Sequence, residues 1–206
     1  MSKRIKLSLN CRRIPSLDDD LALLHGKVKK FLGRLPEPWA AEFSGSPNTA
    51  PGELVAVCKL GRKGKFSGEA CYSLRKEEYL GDESRFDDAI NLDFQANEDE
   101  IYYFANEIFP ELVSLFEAYR AELTTKDLAR NDWREVIART KEAKRDIYGR
   151  HGVYRIWPLS YYSSNMLNLN DFPVHLEPFF EGYMCKEIEV YLNEVSESYG
   201  KETVSS

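Results

Sequence analysis

Asp88-Ala89-Ile90-Asn91-Leu92-Asp93-Phe94-Gln95-Ala96-Asn97-Glu98-Asp99-Glu100-Ile101 changes its hydrophobic period halfway along, and that change decides the fold. Ile90, Leu92 and Phe94 alternate with Asn91, Asp93 and Gln95, the period of two that marks a half-buried strand over Asp88 to Gln95. Asn97 and Glu100 then form a capping-box pattern, and Ile101, Phe104, Ala105, Ile108, Leu112, Leu115, Tyr119 and Leu123 recur at helical spacing. A second stripe of Tyr102, Phe109, Val113 and Phe116 makes this helix apolar around much of its circumference, as befits a central element. Pro110 removes a backbone donor inside it and disfavours helical geometry at Phe109, so a kink is expected between Asn106 and Pro110.

Upstream, Ile5, Leu7, Leu9 and Cys11 alternate with Arg4, Lys6, Ser8, Asn10 and Arg12 as a half-buried strand that Pro15 closes. Ser16 reads as an N-cap for a helix over Leu17 to Arg34, carrying Leu17, Leu21, Leu24, Val28, Phe31, Leu32 and Leu35 at helical spacing. Asp18, Asp19 and Asp20 are then first-turn complements to the helix dipole. Leu35 to Gly52 is rich in Pro and Gly, with Trp39 and Phe43 as its anchors. Leu54 to Leu60 is apolar on both faces except for Lys59 and reads as an inner strand. Phe66 to Leu74 is the next strand, joined to it by the basic, glycine-rich turn Gly61-Arg62-Lys63-Gly64-Lys65.

Downstream, Thr124 or Thr125 caps a helix that runs to about Tyr148, with Trp133, Val136, Ile137 and Ile147 apolar and Gly149 as its stop. Val153 to Trp157 reads as a short strand, Tyr161 to Asn165 as polar-aromatic, and Asp171-Phe172-Pro173 as a helix start. Beyond Glu181, Met184, Ile188, Tyr191 and Val195 fit a helix, whereas Ile188, Val190 and Leu192 fit a strand. The expected fold is α+β: a single domain over residues 1–195 with a mixed or antiparallel sheet of four or five strands, helices on one face, and a flexible tail from 196 to 206. A ferredoxin-like core with additions is one topology compatible with that order.

The 206 residues, 43% apolar and 30% charged, suffice for a core without disulfide or metal support. Cys11, Cys58, Cys71 and Cys185 are widely spaced and read as reduced thiols. No secretory leader pattern or membrane-length apolar run is present in the sequence, so a cytoplasmic protein is expected.

Closely spaced His ligands, a nucleophile elbow and a phosphate loop are all missing from the sequence, so no cofactor, metal or catalytic residue is expected. His25, His151 and His175 stand apart from one another. Gly45-Ser46-Pro47 lacks the elbow's glycine spacing, and Gly61 to Gly64 lacks the phosphate-loop pattern. Glu53, Glu69 and Lys59 only loosely approach a metal-dependent nuclease pattern, and Gly149-Arg150-His151-Gly152 reads as a helix stop followed by a turn.

Charge is what remains. From Gly81 to Glu122, Asp82, Glu83, Asp87, Asp88, Asp93, Glu98, Asp99, Glu100, Glu107, Glu111, Glu117 and Glu122 face only Arg85 and Arg120, about −10 against −6 for the whole chain. The chain up to Leu80 carries about +6, so the molecule is dipolar, without the uniform basicity that binds nucleic acid. Uncompensated like charge is relieved by a partner of opposite sign, and Tyr is favoured as an anchor in interfaces. The expected partner-binding residues are Asp82, Glu83, Asp87, Asp88, Asp93, Glu98, Asp99, Tyr102 and Tyr103.

The opening strand, the Ser16-Leu17 lead into a leucine-rich helix, and Leu35-Pro36-Glu37-Pro38-Trp39 resemble the bacterial immunity proteins of polymorphic toxin systems, in particular immunity protein family 52. Phe104-Ala105-Asn106-Glu107-Ile108-Phe109-Pro110 through Ala118-Tyr119 is similar to uncharacterised proteins from such loci. The resemblance implies a cytosolic protein that binds and blocks a cognate toxin, one whose basic surface would suit the acidic segment, with no direct contact to nucleic acid or membrane. A hydrolase or nuclease-like enzyme and a phage or regulatory protein-binding module stay open as alternatives.

Overall fold

The computed structural model describes residues 4–48, 52–61, 64–80, 86–143, 149–150, 155–157, 159–163 and 175–176. In chain order these form β1 (Ile5–Arg13), α1 (Leu21–Arg34), β2 (Val55–Lys59), β3 (Ser67–Ser73), the single turn α2 (Glu77–Leu80), β4 (Asp88–Ala96), α3 (Glu98–Tyr103), a π-helical turn (Phe104–Ile108), α4 (Phe109–Phe116), β5 (Arg120–Thr125), α5 (Lys126–Ala143), β6 (Arg155–Ile156), β7 (Leu159–Tyr162) and β8 (His175–Leu176).

Six strands make one sheet in the order β2-β3-β4-β1-β5-β7, and β6 and β8 form a separate parallel pair. Every neighbouring pair in the six-stranded sheet is antiparallel. The α+β class is as expected, with more strands than the four or five read from the sequence. A ferredoxin-like sheet is likewise antiparallel, and β4, the α3–α4 helix and β5 straddle β1 as one split β-α-β unit of that kind; β1 and β2, however, are separated by two strands, β3 and β4, where that core has one. β2 is an edge strand, not an inner one. Its apolar outer residue Val57 is exposed, while Ala56 and Cys58 face the core.

Alternation along β1 decides what each sheet face carries. Leu7, Leu9 and Cys11 point to one side, and register sets them beside Phe94, Leu92 and Ile90 of β4 and, for Leu9 and Cys11, Leu123 and Ala121 of β5. All of these are buried in one cluster, which Leu24, Val28, Phe31 and Leu32 of α1 and Leu112, Val113 and Phe116 of α4 close from above. Ser8, Asn10 and Arg12 point to the other side, in register with Asp93, Asn91 and Ala89 and with Thr124, Glu122 and Arg120. There α5 packs on β1 and β5. Its first residue, Lys126, reaches Asp93 at 2.6 Å, and Val136 is buried outside the main cluster. Helices therefore cover both faces, a correction to the one-sided layer expected from the sequence.

Two helix boundaries also move. The cap of α1 is Asp20, whose Oδ1 accepts from the Leu23 N–H at 3.0 Å. Ser16 heads a separate turn before the helix: its hydroxyl oxygen accepts from the Asp18 N–H at 3.4 Å, its carbonyl from the Asp19 N–H at 3.3 Å, and its own N–H donates to the Asp19 carboxylate at 2.8 Å. The capping box of Asn97 and Glu100 forms as expected at the start of α3. The long helix then breaks into α3, one π-helical turn and α4, with the Phe109 N–H reaching back to the Phe104 carbonyl and Pro110 in the first turn of α4. The extra residue of a π turn is how this helix accommodates the proline. It ends at Phe116, where Glu117 takes a left-handed φ of 54°. Tyr119 and Leu123, which fit the helical stripe, lie beyond it. Leu123 belongs to β5, because Ala121 and Leu123 also satisfy a period of two and the place beside β1 is filled by that strand.

The Trp39 loop folds into the core. Trp39 packs against Phe66 (5.3 Å between ring centroids), Phe94 (5.7 Å) and Phe104 (5.9 Å), with the Lys65 ammonium 4.5 Å from its ring centroid. The β2–β3 turn reaches the same loop through Gly64, at φ 93°, where a Cβ would lie 1.9 Å from the Ala40 carbonyl oxygen. Thr125 is the cap of α5, accepting from the Leu128 N–H at 3.3 Å. The expected helix end at Tyr148, the helix start at Asp171 and the period beyond Glu181 lie outside the described residues.

Candidate functional site

The acids of the 81–122 segment meet two opposite fates. At the shared end of β1 and β4, Arg13 and Asp88 are register partners. Asp88 points to the core side, fully buried, and receives both guanidinium nitrogens of Arg75 at 2.9 and 2.6 Å, Arg13 at 3.3 Å and the Ser73 N–H at 3.0 Å. Arg13 forks onto Asp19 at 2.5 and 2.6 Å and reaches Glu117 at 3.2 Å, while Arg75 also meets Asp19 at 2.9 Å. This lattice joins the turn before α1, the ends of three strands and the cap after α4. The Arg13 hydrogen bond holds the Asp19 carboxyl down at about 2, and the Ser16 N–H and the charges of both arginines add to the effect against the opposing cost of burial. The same bond raises Arg13 further above its usual range.

Asp87, one residue earlier, points to the other face. Its carboxylate is buried between the Tyr119 hydroxyl at 2.6 Å and Arg150, whose Nε donates at 2.8 Å, with Arg12 at 3.5 Å. Beside it the fully buried Arg120 bonds Glu122 at 3.1 and 2.8 Å, and the Tyr162 hydroxyl donates to the same carboxylate. Burial, together with the neighbouring Asp87 charge and its hydrogen bond, raises the Tyr119 hydroxyl above its usual range against the pull of Arg12 and Arg120. Asp87 and Asp88 therefore do not lie on an exposed surface. Placing them there from the sequence is corrected by their consumption in buried ion pairs, which two adjacent arginines, Arg12 and Arg13, create on opposite faces of the sheet.

Three more acids are compensated. Asp93 pairs with Lys126, and Glu100 closes the capping box while meeting Arg4 at 2.9 Å and Lys65. Burial pushes the Glu100 carboxyl up, but the Lys65 hydrogen bond, the Asn97 N–H and the Lys65 and Arg4 charges outweigh it and leave the group below its usual range. Glu117 pairs with Arg13. Tyr103 is half-buried, its ring 6.1 Å from Trp39, so it is only in part available to a partner. Asp82 and Glu83 lie outside the described residues.

What stays on the surface is narrower and lies on one rod. Glu98, Asp99, Tyr102, Asn106, Glu107, Pro110, Glu111 and Ser114 are the exposed positions of α3, the π turn and α4. Tyr102 is 68% exposed at the centre of this crest, and Asn106 donates to its backbone carbonyl at 2.9 Å. Glu98, Asp99, Glu107 and Glu111 have no ion-pair partner among the described residues. No Lys, Arg or His occurs in the sequence between Phe86 and Tyr119. Glu98, Asp99 and Tyr102 were singled out from the sequence. Glu107 and Glu111 were not, although their spacing of four on a helix puts them on one side, and that spacing was the available signal.

Among the described residues no three His, Cys, Asp or Glu side chains are grouped so as to hold a metal ion, and no helix is long and apolar enough to cross a membrane. Cys11, Cys58 and Cys71 are free thiols, the first two buried. Comparison with known proteins matches no family model, no curated protein and no solved structure.

Proposed function

We propose that this chain is an immunity protein that binds and neutralises a cognate bacterial toxin in the cytoplasm, taking hold of it through the acidic outer face of α3 and α4 with Tyr102 as the aromatic anchor. The observation that carries this reading is that Glu98, Asp99, Glu107 and Glu111 surround an exposed tyrosine with no ion-pair partner among the described residues. Elsewhere in the acidic segment the described carboxylates are held by arginine, lysine or tyrosine, so the surplus among the described residues lies on one face. A basic partner removes the mutual repulsion of these four charges, and the field they create raises its rate of encounter. A tyrosine at the centre of such a patch supplies a broad apolar contact with a polar tip, a frequent source of binding energy.

The test is copurification of the tagged chain from its native host, with the captured protein identified by mass spectrometry and its affinity for the purified chain measured. The expected capture is a stoichiometric basic protein that is toxic when expressed alone and silent with this chain present. Tyr102→Ala together with Glu107→Lys and Glu111→Lys is expected to weaken that complex at least about a hundredfold, on the order of two charge contacts and one anchor. Unchanged affinity in the triple variant rejects this face, and a captured protein with no toxicity rejects the immunity reading.

A further inference from the structure

The acidic crest has a basic neighbour in the same layer. α1 and α4 pack side by side over one face of the sheet and share its core cluster, so their outer surfaces look the same way. On α1 the exposed positions are Ala22, Leu23, Gly26, Lys27, Lys30, Gly33 and Arg34. His25 and Lys29 mark the flank toward β2 and β3, since His25 lies 3.0 Å from the Tyr72 hydroxyl and Lys29 3.2 Å from Glu42. At about 100° per residue, Lys27 and Arg34 project from the opposite flank, along the border with α4, and Lys30 from the crest. Like the four acids opposite, they have no ion-pair partner among the described residues.

We propose that a second copy of this chain docks on this helix layer, with α1 of each protomer lying over α3 and α4 of the other around a two-fold axis. The three bases and four acids make the face almost neutral in sum but two-signed, so a two-fold rotation sets each sign against its opposite. The whole chain carries −6, so an encounter that does not match the two signs is on balance repulsive. Gly26 and Gly33 lower the crest of α1. A Cβ on Gly26 would meet nothing within 4 Å, so the protomer's own packing does not require glycine there. Exposed Leu23 on α1 and Tyr102 amid the four acids supply apolar contact. Two helices side by side, about 20 Å across and about 21 Å along α1, present an area at the low end of specific interfaces, so the dimer is weak and salt-sensitive. The dimer covers the same crest as the proposed toxin surface, but its test uses no toxin, so either idea can fail alone.

Sedimentation velocity of the full chain, from about 1 μM to about 500 μM at low and high salt, tests it. The wild-type chain is expected to dimerise with a dissociation constant on the order of tens of micromolar, rising at least tenfold in 0.5 M salt. Lys27→Glu with Lys30→Glu is expected to be monomeric, as is Glu107→Lys with Glu111→Lys. Mixing the two variants restores a heterodimer, because each reversed helix then faces its opposite sign. Circular dichroism checks that both variants are folded. A wild-type chain that stays monomeric throughout, or a mixture that does not associate, overturns the proposal.

Discussion

Asp87 and Asp88, and Glu107 and Glu111, belong to one acidic segment and differ in everything that matters physically. The first two are buried and each is gripped by two arginines, whereas the second two face solvent with no ion-pair partner among the described residues. The difference is one of register. Asp88 sits directly across from Arg13 on the neighbouring strand, so closing the sheet closes the ion pairs. Glu107 and Glu111 lie on the outer side of a helix whose inner side, Ile108, Leu112 and Val113, is taken up by the core. The contrast teaches that a local charge count cannot distinguish an acid that holds the fold from one that remains for a partner.

Breaking the comparison from its buried side has the largest effect. Asp88→Ala leaves the buried Arg13 and Arg75 with only Asp19 as a shared counter-ion and the Ser73 N–H without its acceptor, and is expected to cost about 3–5 kcal/mol in denaturant unfolding. Acid sharpens it next. The Asp19 carboxyl is held at about 2, below its unfolded value, so its contribution is fully present above about pH 4 and is lost as pH falls toward 2, roughly 2 kcal/mol in all. Arg13→Gln is expected to flatten that part of the stability curve. His25 adds an earlier step. Burial, then the Lys29 charge, holds its imidazole below the usual 6.5 despite the opposing pull of the Gly45 backbone. Its contribution is therefore present above about pH 6.5 and declines as pH falls, a slope that His25→Phe removes. The smallest effect belongs to the exposed side: Glu107→Gln with Glu111→Gln should change stability by no more than about 0.5 kcal/mol, while reducing any binding through that face.

Much of the fold was legible because it is written in short-range periods. The alternation of β1 and β4, the capping box at Asn97 and Glu100, the apolar stripe of α1 and the disturbance before Pro110 each depend on residues within a few positions of one another. The errors arose where two local readings were both satisfied. Tyr119 and Leu123 continue a helical stripe, yet Ala121 and Leu123 also alternate, and only the open position beside β1 selects the strand. Likewise Ser16 and Asp20 are both good caps, and the choice follows from Asp19 being drawn to Arg13 and Arg75.

The candidate site was half legible. Glu98, Asp99 and Tyr102 stand where a capped helix exposes them, but the removal of Asp87 and Asp88 depends on partners as far away as Arg13 and Arg150, separated from them by 75 and 63 residues. By itself the sequence determined the fold class, the elements around the Asn97 junction and the excess of acid. Tertiary structure alone decided which acids remain outside, because burial of a carboxylate depends on which distant guanidinium the sheet register brings to it.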